Sequence, residues 1–416
     1  MTVSVTNWAR NIRFSASRFH EPESVTQLRR VVAGSSAVRV LGTGHSFNAI
    51  ADTSGDLVSL ARLPRLVDVD EHSATVTVGA ATRFGELTEA LHRSGFALHN
   101  LGSLPHISVA GACATGTHGS GVGNGCLASA VRAMEFVTAE GELVTVDRNT
   151  PDFAGMVVSL GALGVVTRIT LNLVPTFTVR QWVYEGLPGA ALRERFDEVM
   201  ASAYSVSLFT DWRDDRIDQV WVKRATLANA PRNLLGATLA DGPRHPVPGM
   251  PAEQCTRQLG IPGPWYARLP HFRMDFTPSS GDELQSEYFV DRADAVAAFE
   301  SLDAIRARIS PALQIGEIRT VAADQLWLSP AYERNAVAFH FTWHPDAVHA
   351  TDAVRVVEEA LSPFAARPHW GKVFTTGPEG VRTSYPRHDD FRRLLTRLDP
   401  GGKFRNAFIE RYFPTV

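Results

Sequence analysis

A histidine stands near the end of a two-glycine loop in the segment GTGHS, which runs from Gly42 to Ser46 behind the apolar strand VRVL. Glycines at these positions let the backbone turn successive N–H groups toward one point, and such a turn suits a phosphate. The spacing approaches a dinucleotide-binding fingerprint, but its third glycine would fall at Phe47, so the loop does not predict an ordinary Rossmann domain. Taken alone, the segment also fits a tight surface turn with an incidental histidine.

A second glycine-rich region, GSLPHISVAGACATGTHGSGVGNG, extends from Gly102 to Gly125. It is too long for a single turn, and its apolar residues Ile107, Val109 and Ala110 argue against a flexible linker. So many small residues indicate that the backbone approaches a ligand closely, and the pyrophosphate of a dinucleotide would satisfy many N–H groups and hydroxyls at once. An irregular surface loop is the alternative, and the earlier glycine loop in the same predicted domain weakens it.

Two predicted strands each carry a pair of polar side chains. In LQIGEIRTVA, Glu317 and Arg319 are two residues apart and therefore share a face, and His340 and Thr342 share a face in VAFHFTW. The four side chains are candidates for a binding site. The alternative is an exposed ion pair beside a histidine whose hydrogen bonds are satisfied within the sheet, and the residues alone leave both interpretations open.

The elements that must position these residues form a mixture of helices and strands in the first part of the chain. EPESVTQLRRVVAGS has helical spacing, with a start signal at Ser24 and a stop at Gly34, and RFGELTEALHRSG predicts a second helix that ends at Gly95. LVDVDEHSATVTVGA and AMEFVTAEGELVTVD alternate like hairpins, the latter turning near Gly141. This pattern predicts an α+β domain over roughly the first 175 residues.

Beyond residue 176 the sequence is dominated by alternating strands. They are SVSLFTDW, QVWVKR, LQSEYFV, LQIGEIRTVA and VAFHFTW, and they predict an antiparallel sheet with one covered face. Proline and glycine cluster between residues 242 and 264 among apolar and aromatic residues, which indicates a long ordered loop rather than a linker.

Composition limits the classes of partner. The 416 residues, 44% hydrophobic and 20% charged, are sufficient for two domains, and a formal net charge of −3 favours a small neutral partner over nucleic acid or an anionic membrane. Residues 1–14 lack the charged and apolar regions of a signal peptide, and no segment approaches ~18 continuous apolar residues, so we expect a cytoplasmic protein. Three separated cysteines, Cys113, Cys126 and Cys255, predict buried free thiols, with no disulfide and no metal site.

Several motifs together resemble the vanillyl-alcohol-oxidase-type flavoproteins, and among them the alditol (xylitol/sorbitol) oxidases. The motifs are GTGHSFN, SLPHISVAGACATGTHGSG, SLGALGVVTRITL, EIRTVAAD, HFTW, RPHWGKVF and GKFRNAF, and they span essentially the whole chain. The resemblance implies a two-domain flavoprotein oxidase fold. An FAD-binding domain of the PCMH type is expected over residues 1–175, an antiparallel-sheet substrate (cap) domain over 176–365, and a segment returning to the FAD domain over 366–416.

The resemblance further implies that His45 is bonded covalently to the 8α-methyl group of FAD. A neutral imidazole suits this bond, because nothing else in the loop is as nucleophilic at neutral pH. The other residues expected around FAD are Val40, Leu41, Gly42, Thr43, Gly44, Ser46, Ser103, Ser108, Gly111, Ala112, Cys113, Ala114, Val166 and His369.

For the substrate, the resemblance implies a polyol site. The expected catalytic residues are Glu317, Arg319 and Lys372, and Ser103, His340 and Thr342 are expected to bind the substrate with them. The implied reaction oxidises the terminal primary alcohol of xylitol, sorbitol or a similar polyol to the aldose by hydride transfer to FAD, with reoxidation by O₂ to hydrogen peroxide. Gly102 is expected beside the reactive edge of the flavin, where the lack of a Cβ would leave room for O₂, although a turn before SLPH would also explain it.

Two alternatives remain open at this stage. The first is an aldonolactone oxidase or dehydrogenase, which shares the E-x-R pair and the HWGK stretch. Lys372 of that stretch, considered by itself, could also be a solvated lysine beside Trp370. A flavin-bearing carrier without chemistry of its own is the second alternative.

Overall fold

The computed structural model describes residues 5–226, 229–276 and 283–415. Within these ranges the strands are β1 Arg18–His20, β2 Val38–Leu41, β3 Asp56–Ser59, β4 Val67–Asp70, β5 Thr75–Gly79, β6 Phe96–Ala97, β7 Val131–Val137, β8 Leu143–Asp147, β9 Val165–Asn172, β10 Val174–Pro175, β11 Thr178–Pro188, β12 Ser205–Thr210, β13 Arg216–Arg224, β14 Asn233–Leu234, β15 Ala237–Leu239, β16 Gly263–Pro264, β17 Leu284–Asp291, β18 Leu313–Val321, β19 Ala336–Trp343 and β20 Arg367–Pro368. The prediction that the chain starts without a signal peptide concerns residues 1–14, and residues 1–4 of that segment lie outside the described residues.

The α-helices of the described residues are α1 Val25–Gly34, α2 Phe84–Arg93, α3 Val109–Ala114, α4 Phe153–Val157, α5 Gly189–Met200, α6 Ala295–Ala304, α7 Arg306–Ile309, α8 Ala347–Leu361, α9 Pro378–Ser384, α10 His388–Leu398 and α11 Ala407–Tyr412. The predicted start of α1 is confirmed, because the Ser24 side chain accepts a hydrogen bond from the backbone N–H of Gln27. In the part of the chain that the structure describes, no helix is long and apolar enough to cross a membrane.

The amino-terminal part of the chain forms two larger sheets. Strands β1, β3 and β2 make a parallel three-stranded sheet, and β4, β5, β9, β7 and β8 make an antiparallel five-stranded sheet. Both predicted hairpins, β4–β5 and β7–β8, are confirmed, and the latter turns at Gly141, whose φ of 81° suits glycine. The mixture of helices and sheets confirms the predicted α+β class.

The second half of the chain builds an antiparallel sheet of ten strands in the order β14-β15-β11-β13-β12-β18-β19-β17-β20, with β16 paired to β11. The five strands predicted from alternation all lie in it. The prediction of a single covered face is wrong, because nearly every residue of β18 and β19 is buried. Apolar side chains of one face pack against α5, α6 and α8, while glycine-rich loops and the segment after β20 cover the polar face.

Both ends of the chain share one apolar core. Trp370, Tyr385 and Phe413 lie in the same cluster as Leu87 and Ile169 of the amino-terminal part. The backbone N–H of Val38 donates to the carbonyl of Lys403 at 2.8 Å, and the buried Arg39 guanidinium donates to the carbonyl of Phe404 at 2.7 Å. These contacts bring the carboxyl-terminal segment against the loop that carries His45. The three cysteines are free and buried, as the sequence predicts.

Candidate active site

A cavity of about 800 Å³ separates the glycine-rich loops from the polar face of the large sheet. This volume lies within the ~300–1,000 Å³ range typical of ligand pockets. Every site residue predicted from the sequence except Cys113 lines it, including Gly102, His45, Val166, Thr342 and Lys372. Cys113 points instead into the apolar core behind α3, where it is fully buried. The structure therefore brings together residues that are far apart along the chain.

The two glycine-rich loops meet at Ser108. A Cβ added to Gly42 would lie 2.7 Å from Ser108 Oγ, and one added to Gly111 would lie 2.8 Å from the same atom. The backbone N–H of Ser108 also donates to Thr43 Oγ1 at 3.3 Å. Gly44 has a φ of 71°, whereas Gly42 is needed for its small size rather than for a positive φ. The loops thus present closely packed backbone to the cavity, as the sequence predicts for a phosphate-bearing ligand.

His45 lies at the cavity wall against the ring of Trp8. The two rings stack with centroids 5.3 Å apart and an angle of 18° between their planes, and Nδ1 of His45 is buried without a hydrogen-bond partner. Burial and the neighbouring His106 lower the pKa of His45 to about 4, so the imidazole is neutral at neutral pH. A neutral ring with an unsatisfied nitrogen is a nucleophile aimed at a ligand in this cavity.

Hydrogen bonds join the His45 loop to the segment that carries Lys372. The backbone N–H of Phe47 donates to the carbonyl of Gly371 at 2.7 Å. The side-chain amide of Asn48 donates to the carbonyls of Trp370 and Lys372, each at 2.8 Å. Hydrogen bonds to the backbone carbonyls of residues 370–372 therefore fix the position of Lys372 relative to His45.

Three neighbouring strands align their polar residues in a row across the sheet. Glu317 of β18 and Glu287 of β17 both pair with His340 of β19, and Gln285 pairs with Thr342 in the next row. The predicted shared face of His340 and Thr342 is confirmed by a 3.1 Å contact between Nε2 and Oγ1. Antiparallel pairing thus converts alternation along single strands into one continuous polar surface facing the cavity.

Glu287 is the centre of a buried cluster of charges. It is only 1% exposed, and its carboxylate accepts hydrogen bonds from Arg319 Nη2 at 2.6 Å and Lys372 Nζ at 2.8 Å. Nε2 of His118 lies 3.2 Å from the same carboxylate. Burial alone would raise the pKa of Glu287, but the attraction of Lys372 and Arg319 holds it well below its usual range. Two cations therefore remain in the site because Glu287 balances them.

Glu317 and Arg319 form a second buried pair, which excludes the alternative of an exposed ion pair. Arg319 Nε lies 3.5 Å from Glu317 Oε2 but makes no hydrogen bond, and Arg319 Nη1 donates to Ser103 Oγ at 3.3 Å. Burial would raise the pKa of Glu317, yet Arg319 and His271, whose Nε2 is 2.7 Å away, keep it lower than usual. The unpartnered Arg319 Nε is a second buried polar atom that points to a ligand.

Lys372 is mostly buried rather than solvated, with 13% of its side chain exposed. Burial lowers its pKa below the ordinary value, although Glu287 counteracts part of this effect. Its Nζ also lies 2.6 Å from His340 Nδ1, and burial and Lys372 together hold the pKa of His340 well below its usual range. His340 is therefore a neutral acceptor for one Lys372 proton.

Gly102 does not require glycine for its conformation. Its φ is not positive, and a Cβ would lie 3.7 Å from the nearest protein atoms, which is ordinary contact. The neighbouring protein atoms therefore do not explain why residue 102 is a glycine. Gly102 lines the cavity.

The sequence analysis missed four buried polar residues in or beside the site: Glu287 and His118 of the charged cluster, His271, which contacts Glu317, and Lys223, which contacts His271. Glu287 shares a face with Gln285 in the strand LQSEYFV, so the alternation that identified Glu317 and Arg319 could have identified it. His118 lies in the second glycine-rich region without a distinguishing spacing. Among the described residues, no group of His, Cys, Asp and Glu is arranged to hold a metal ion.

Comparison with known proteins identifies the family. The FAD-binding-domain family matches residues 16–147, and the D-arabinono-1,4-lactone oxidase family matches residues 282–412. An alditol oxidase from a Streptomyces species is 52% identical over 412 residues, covering 98% of this chain and 99% of the relative. The chain belongs to the alditol oxidase family. An L-gulono-1,4-lactone dehydrogenase from Mycobacterium tuberculosis is a more distant relative, 28% identical over 97% of this chain and 98% of its own length.

A solved structure extends the family assignment to the fold. The glucooligosaccharide oxidase of Acremonium strictum, described as carrying 6-S-cysteinyl, 8α-N1-histidyl FAD, superimposes with a TM-score of 0.74 at 14% identity over 99% of this chain and 94% of its own. The predicted flavoprotein oxidase fold is confirmed. Membership of the alditol oxidase family and the matching FAD-binding domain make the chain an FAD-dependent oxidoreductase. The glycine-lined cavity and the unpartnered His45 Nδ1 fit this cofactor.

Proposed function

We propose that this enzyme oxidises the terminal primary alcohol of sugar alcohols such as xylitol and sorbitol to the aldose, with O₂ as the final electron acceptor and hydrogen peroxide as a product. The observation that carries the proposal is the cluster of Glu317, Arg319 and Lys372, which opens into the same cavity as the His45 loop. The alditol oxidase of Streptomyces, 52% identical, supports the choice of substrate class.

His45 would hold FAD covalently, and its unpartnered Nδ1 is the proposed point of attachment. Its neutral, buried ring carries an unsatisfied nitrogen at the cavity wall, and stacking on Trp8 limits rotation of the ring. The loop residues Val40 to Ser46, together with Ser103, Ser108, Gly111, Ala112, Ala114, Val166 and His369, line the rest of the cofactor site. Cys113 does not line this site, because its side chain belongs to the apolar core.

A polyol suits the polar wall because each hydroxyl is both a donor and an acceptor. Arg319 Nε has no hydrogen-bond partner in the protein and donates to a substrate oxygen. Glu317 Oε2 accepts from a substrate hydroxyl, while Ser103 and Thr342 contact neighbouring hydroxyls along the chain of the polyol. Carboxylate, guanidinium and hydroxyl groups therefore fix the reacting carbon.

FAD, when bound, would supply a two-electron acceptor for the hydride that leaves the terminal carbon and would pass both electrons to O₂. Arg319 and Lys372 stabilise the negative charge that develops on the substrate oxygen as its proton leaves. The substrate proton leaves toward the hydrogen-bonded pair of Lys372 Nζ and His340 Nδ1, which lie 2.6 Å apart. Glu287 keeps Lys372 charged and directed toward the cavity. The proton and the hydride thus leave the substrate on separate paths.

A substrate panel tests this proposal. The purified holoenzyme is mixed anaerobically with xylitol, sorbitol, mannitol, L-gulono-1,4-lactone or L-galactono-1,4-lactone, and flavin bleaching and subsequent peroxide are measured. We expect polyols to bleach the flavin much faster than lactones and one peroxide to form per aldose. Faster reduction by lactones would overturn the substrate assignment, and reduction by neither class would leave only the flavin-carrier alternative.

An aldonolactone remains the second candidate substrate because residues 282–412 match the D-arabinono-1,4-lactone oxidase family. That region contains Glu287, Glu317, Arg319 and Lys372, so the two substrate classes share the same polar cluster. The same panel decides between them. We keep cytoplasmic location as a prediction from the sequence, with the polyol and O₂ as the proposed partners.

A further inference from the structure

Lys223 is a buried lysine that the proposed reaction does not use. The chain contains only three lysines, Lys223, Lys372 and Lys403, against 38 arginines. Lys223 is 1% exposed near the carboxyl end of β13, where this strand lies between β11 and β12. A charged group so deep in the fold needs a full set of hydrogen-bond partners.

The partners of Lys223 are three acceptors. Its Nζ donates to the carbonyls of Leu269 and Pro270 and lies 3.1 Å from Nδ1 of His271. An ammonium group has three N–H donors and no acceptor, so it satisfies all three partners at once. His271 Nδ1 must then accept, and the proton of the neutral ring belongs on Nε2. Nε2 lies 2.7 Å from Glu317 Oε1 and donates to it.

We propose that Lys223 is a positioning residue that fixes the tautomer of His271 and thereby holds Glu317 as the acceptor for a substrate hydroxyl. This inference rests on the proposed function, which makes Glu317 a substrate ligand. Lys223 Nζ donates to His271, and His271 donates to Glu317 Oε1, so Glu317 Oε2 is left for Arg319 and the substrate. The direction of hydrogen bonding is therefore set at both ends, by the Lys223 ammonium group, which can only donate, and by the Glu317 carboxylate, which can only accept.

The packing around His271 prevents it from adapting by rotation. Its ring meets the edges of Phe209 and Trp221, with centroid distances of 5.4 and 5.2 Å. The titratable and charged groups that face Lys223 are His271, Glu317, Cys255 and Arg319. Because the ring is clamped, a change in its hydrogen bonding must be a change of tautomer rather than of position.

Loss of the Lys223 proton reverses this chain of hydrogen bonds. A neutral amine has two N–H donors and one lone pair, so one of its three partners loses its hydrogen bond. The carbonyls cannot donate, whereas His271 can transfer its proton from Nε2 to Nδ1. Nε2 then presents a lone pair to Glu317 Oε1 at 2.7 Å, and the two acceptors repel each other. Burial lowers the pKa of Lys223 to about 7, so this change falls in an accessible pH range.

The tautomer can be measured without any substrate. In protein labelled with ¹⁵N-histidine, long-range ¹H–¹⁵N spectra identify which nitrogen of His271 carries the proton, with the signal assigned by its loss in His271→Asn. We expect the Nε2–H form below pH 7 and a shift toward Nδ1–H above it. In protein labelled with ¹³C-lysine, the three lysines give three Cε signals, and that of Lys223 should titrate over the same range. An Nδ1–H tautomer at pH 6, or a Lys223 titration near that of a free lysine, would overturn the inference.

Kinetics of Lys223→Met test the consequence for binding. Anaerobic flavin reduction by xylitol gives the apparent dissociation constant and the limiting rate separately. We expect the variant to bind xylitol about 10–100-fold more weakly, the effect of losing a hydrogen bond to a charged group, with a much smaller change in limiting rate. Native binding should weaken above pH 7, and this dependence should be absent from the variant. Equal binding and an unchanged pH profile in Lys223→Met would contradict the positioning role.

A matched control and measurements on the native protein distinguish failure of the Lys223 inference from failure of the proposed function and from misfolding of the variant. Lys403→Met removes the lysine that donates to the carbonyls of Val32 and Ala139, away from the cavity, and should keep the native pH profile. If no polyol reduces the holoenzyme, the proposed function fails while the His271 tautomer still decides the inference. If Lys223→Met does not fold, the spectra of the native protein remain the deciding measurement.

Discussion

Replacement of Glu287 by glutamine removes the negative charge that two buried cations share. The side chain keeps its size, and its amide oxygen can still accept one hydrogen bond. Arg319 Nη2 and Lys372 Nζ, 2.6 and 2.8 Å from the native carboxylate, lose this counter-ion, although Arg319 keeps Glu317. Because Lys372 can release its proton and arginine cannot, we expect the site to respond by deprotonating Lys372.

The distance between Glu287 and Lys372 determines how far the pKa of Lys372 should fall. Two unit charges 2.8 Å apart attract by about 6 kcal/mol at an effective dielectric constant of about 20. One pKa unit corresponds to about 1.4 kcal/mol, so complete loss of the attraction would lower the pKa of Lys372 by about four units. The remaining amide oxygen recovers part of it, and we expect a decrease of about two units or more. Burial already lowers this pKa, so both effects act in the same direction.

The sign of the pH effect follows directly. The ammonium form of Lys372 is present below its pKa, so a lower pKa moves the alkaline limb of the limiting rate of flavin reduction toward lower pH. Stopped-flow reduction by xylitol from pH 5 to pH 10 should show Glu287→Gln losing activity first at alkaline pH and recovering much of it under acidic conditions.

The Glu287→Gln experiment has a control variant and two results that would contradict the prediction. Glu198→Gln, which removes an exposed partner of Arg195, should keep the native profile. Thermal unfolding and flavin content report whether Glu287→Gln folds, since breaking a buried pair typically costs about 3–5 kcal/mol. A folded variant whose rate falls equally at every pH would refute the electrostatic role of Glu287, as would an unchanged profile.

Three further predictions concern the cofactor and the chemistry. His45→Ala should release all flavin into the supernatant on acid precipitation, whereas the native protein should retain it; retention by the variant would exclude His45 as the point of attachment. Arg319→Ala should slow flavin reduction by ~10²–10³ at saturating xylitol, because it removes a donor to the developing negative charge, and a near-normal rate would contradict this role. Gly102→Val should slow reoxidation by O₂ but leave anaerobic reduction largely intact, since its Cβ has ordinary contacts on the protein side; equal loss in both half-reactions would indicate a structural role.

The sequence was sufficient to predict the helices and hairpins whose signals lie among neighbouring residues. Periodicity and caps defined α1 and both hairpins because the signals lie within a few neighbouring residues, such as Ser24 and Gly141. Alternation along β18 correctly paired Glu317 with Arg319 on one face. The covered state of that face was not predictable in this way, since the covering loops come from residues distant in sequence. An ion pair that looks exposed from one strand is therefore buried in the fold.

The cluster around Glu287 shows why the remaining site residues were missed. Its members belong to β17, β18, a glycine-rich loop and the segment after β20, and only the strand order brings them within hydrogen-bond distance. Periodicity reports which face a residue occupies, but the register of β17 against β19 decides that Glu287 lies opposite His340. Long-range pairing of this kind leaves no local pattern.

One compositional signal nevertheless points to the site. Among the described residues, arginine supplies the cation of most surface ion pairs, because its guanidinium stays charged and can contact a carboxylate through two nitrogens. Lysine differs in being a compact cation that burial can discharge near neutral pH. Two of the three lysines, Lys223 and Lys372, lie in one network of hydrogen bonds and ion pairs with Glu317 and Arg319, the proposed substrate ligands. In a chain so poor in lysine, Lys223 and Lys372 are candidates for roles that require release of a proton, and arginine at either position would remove that capacity.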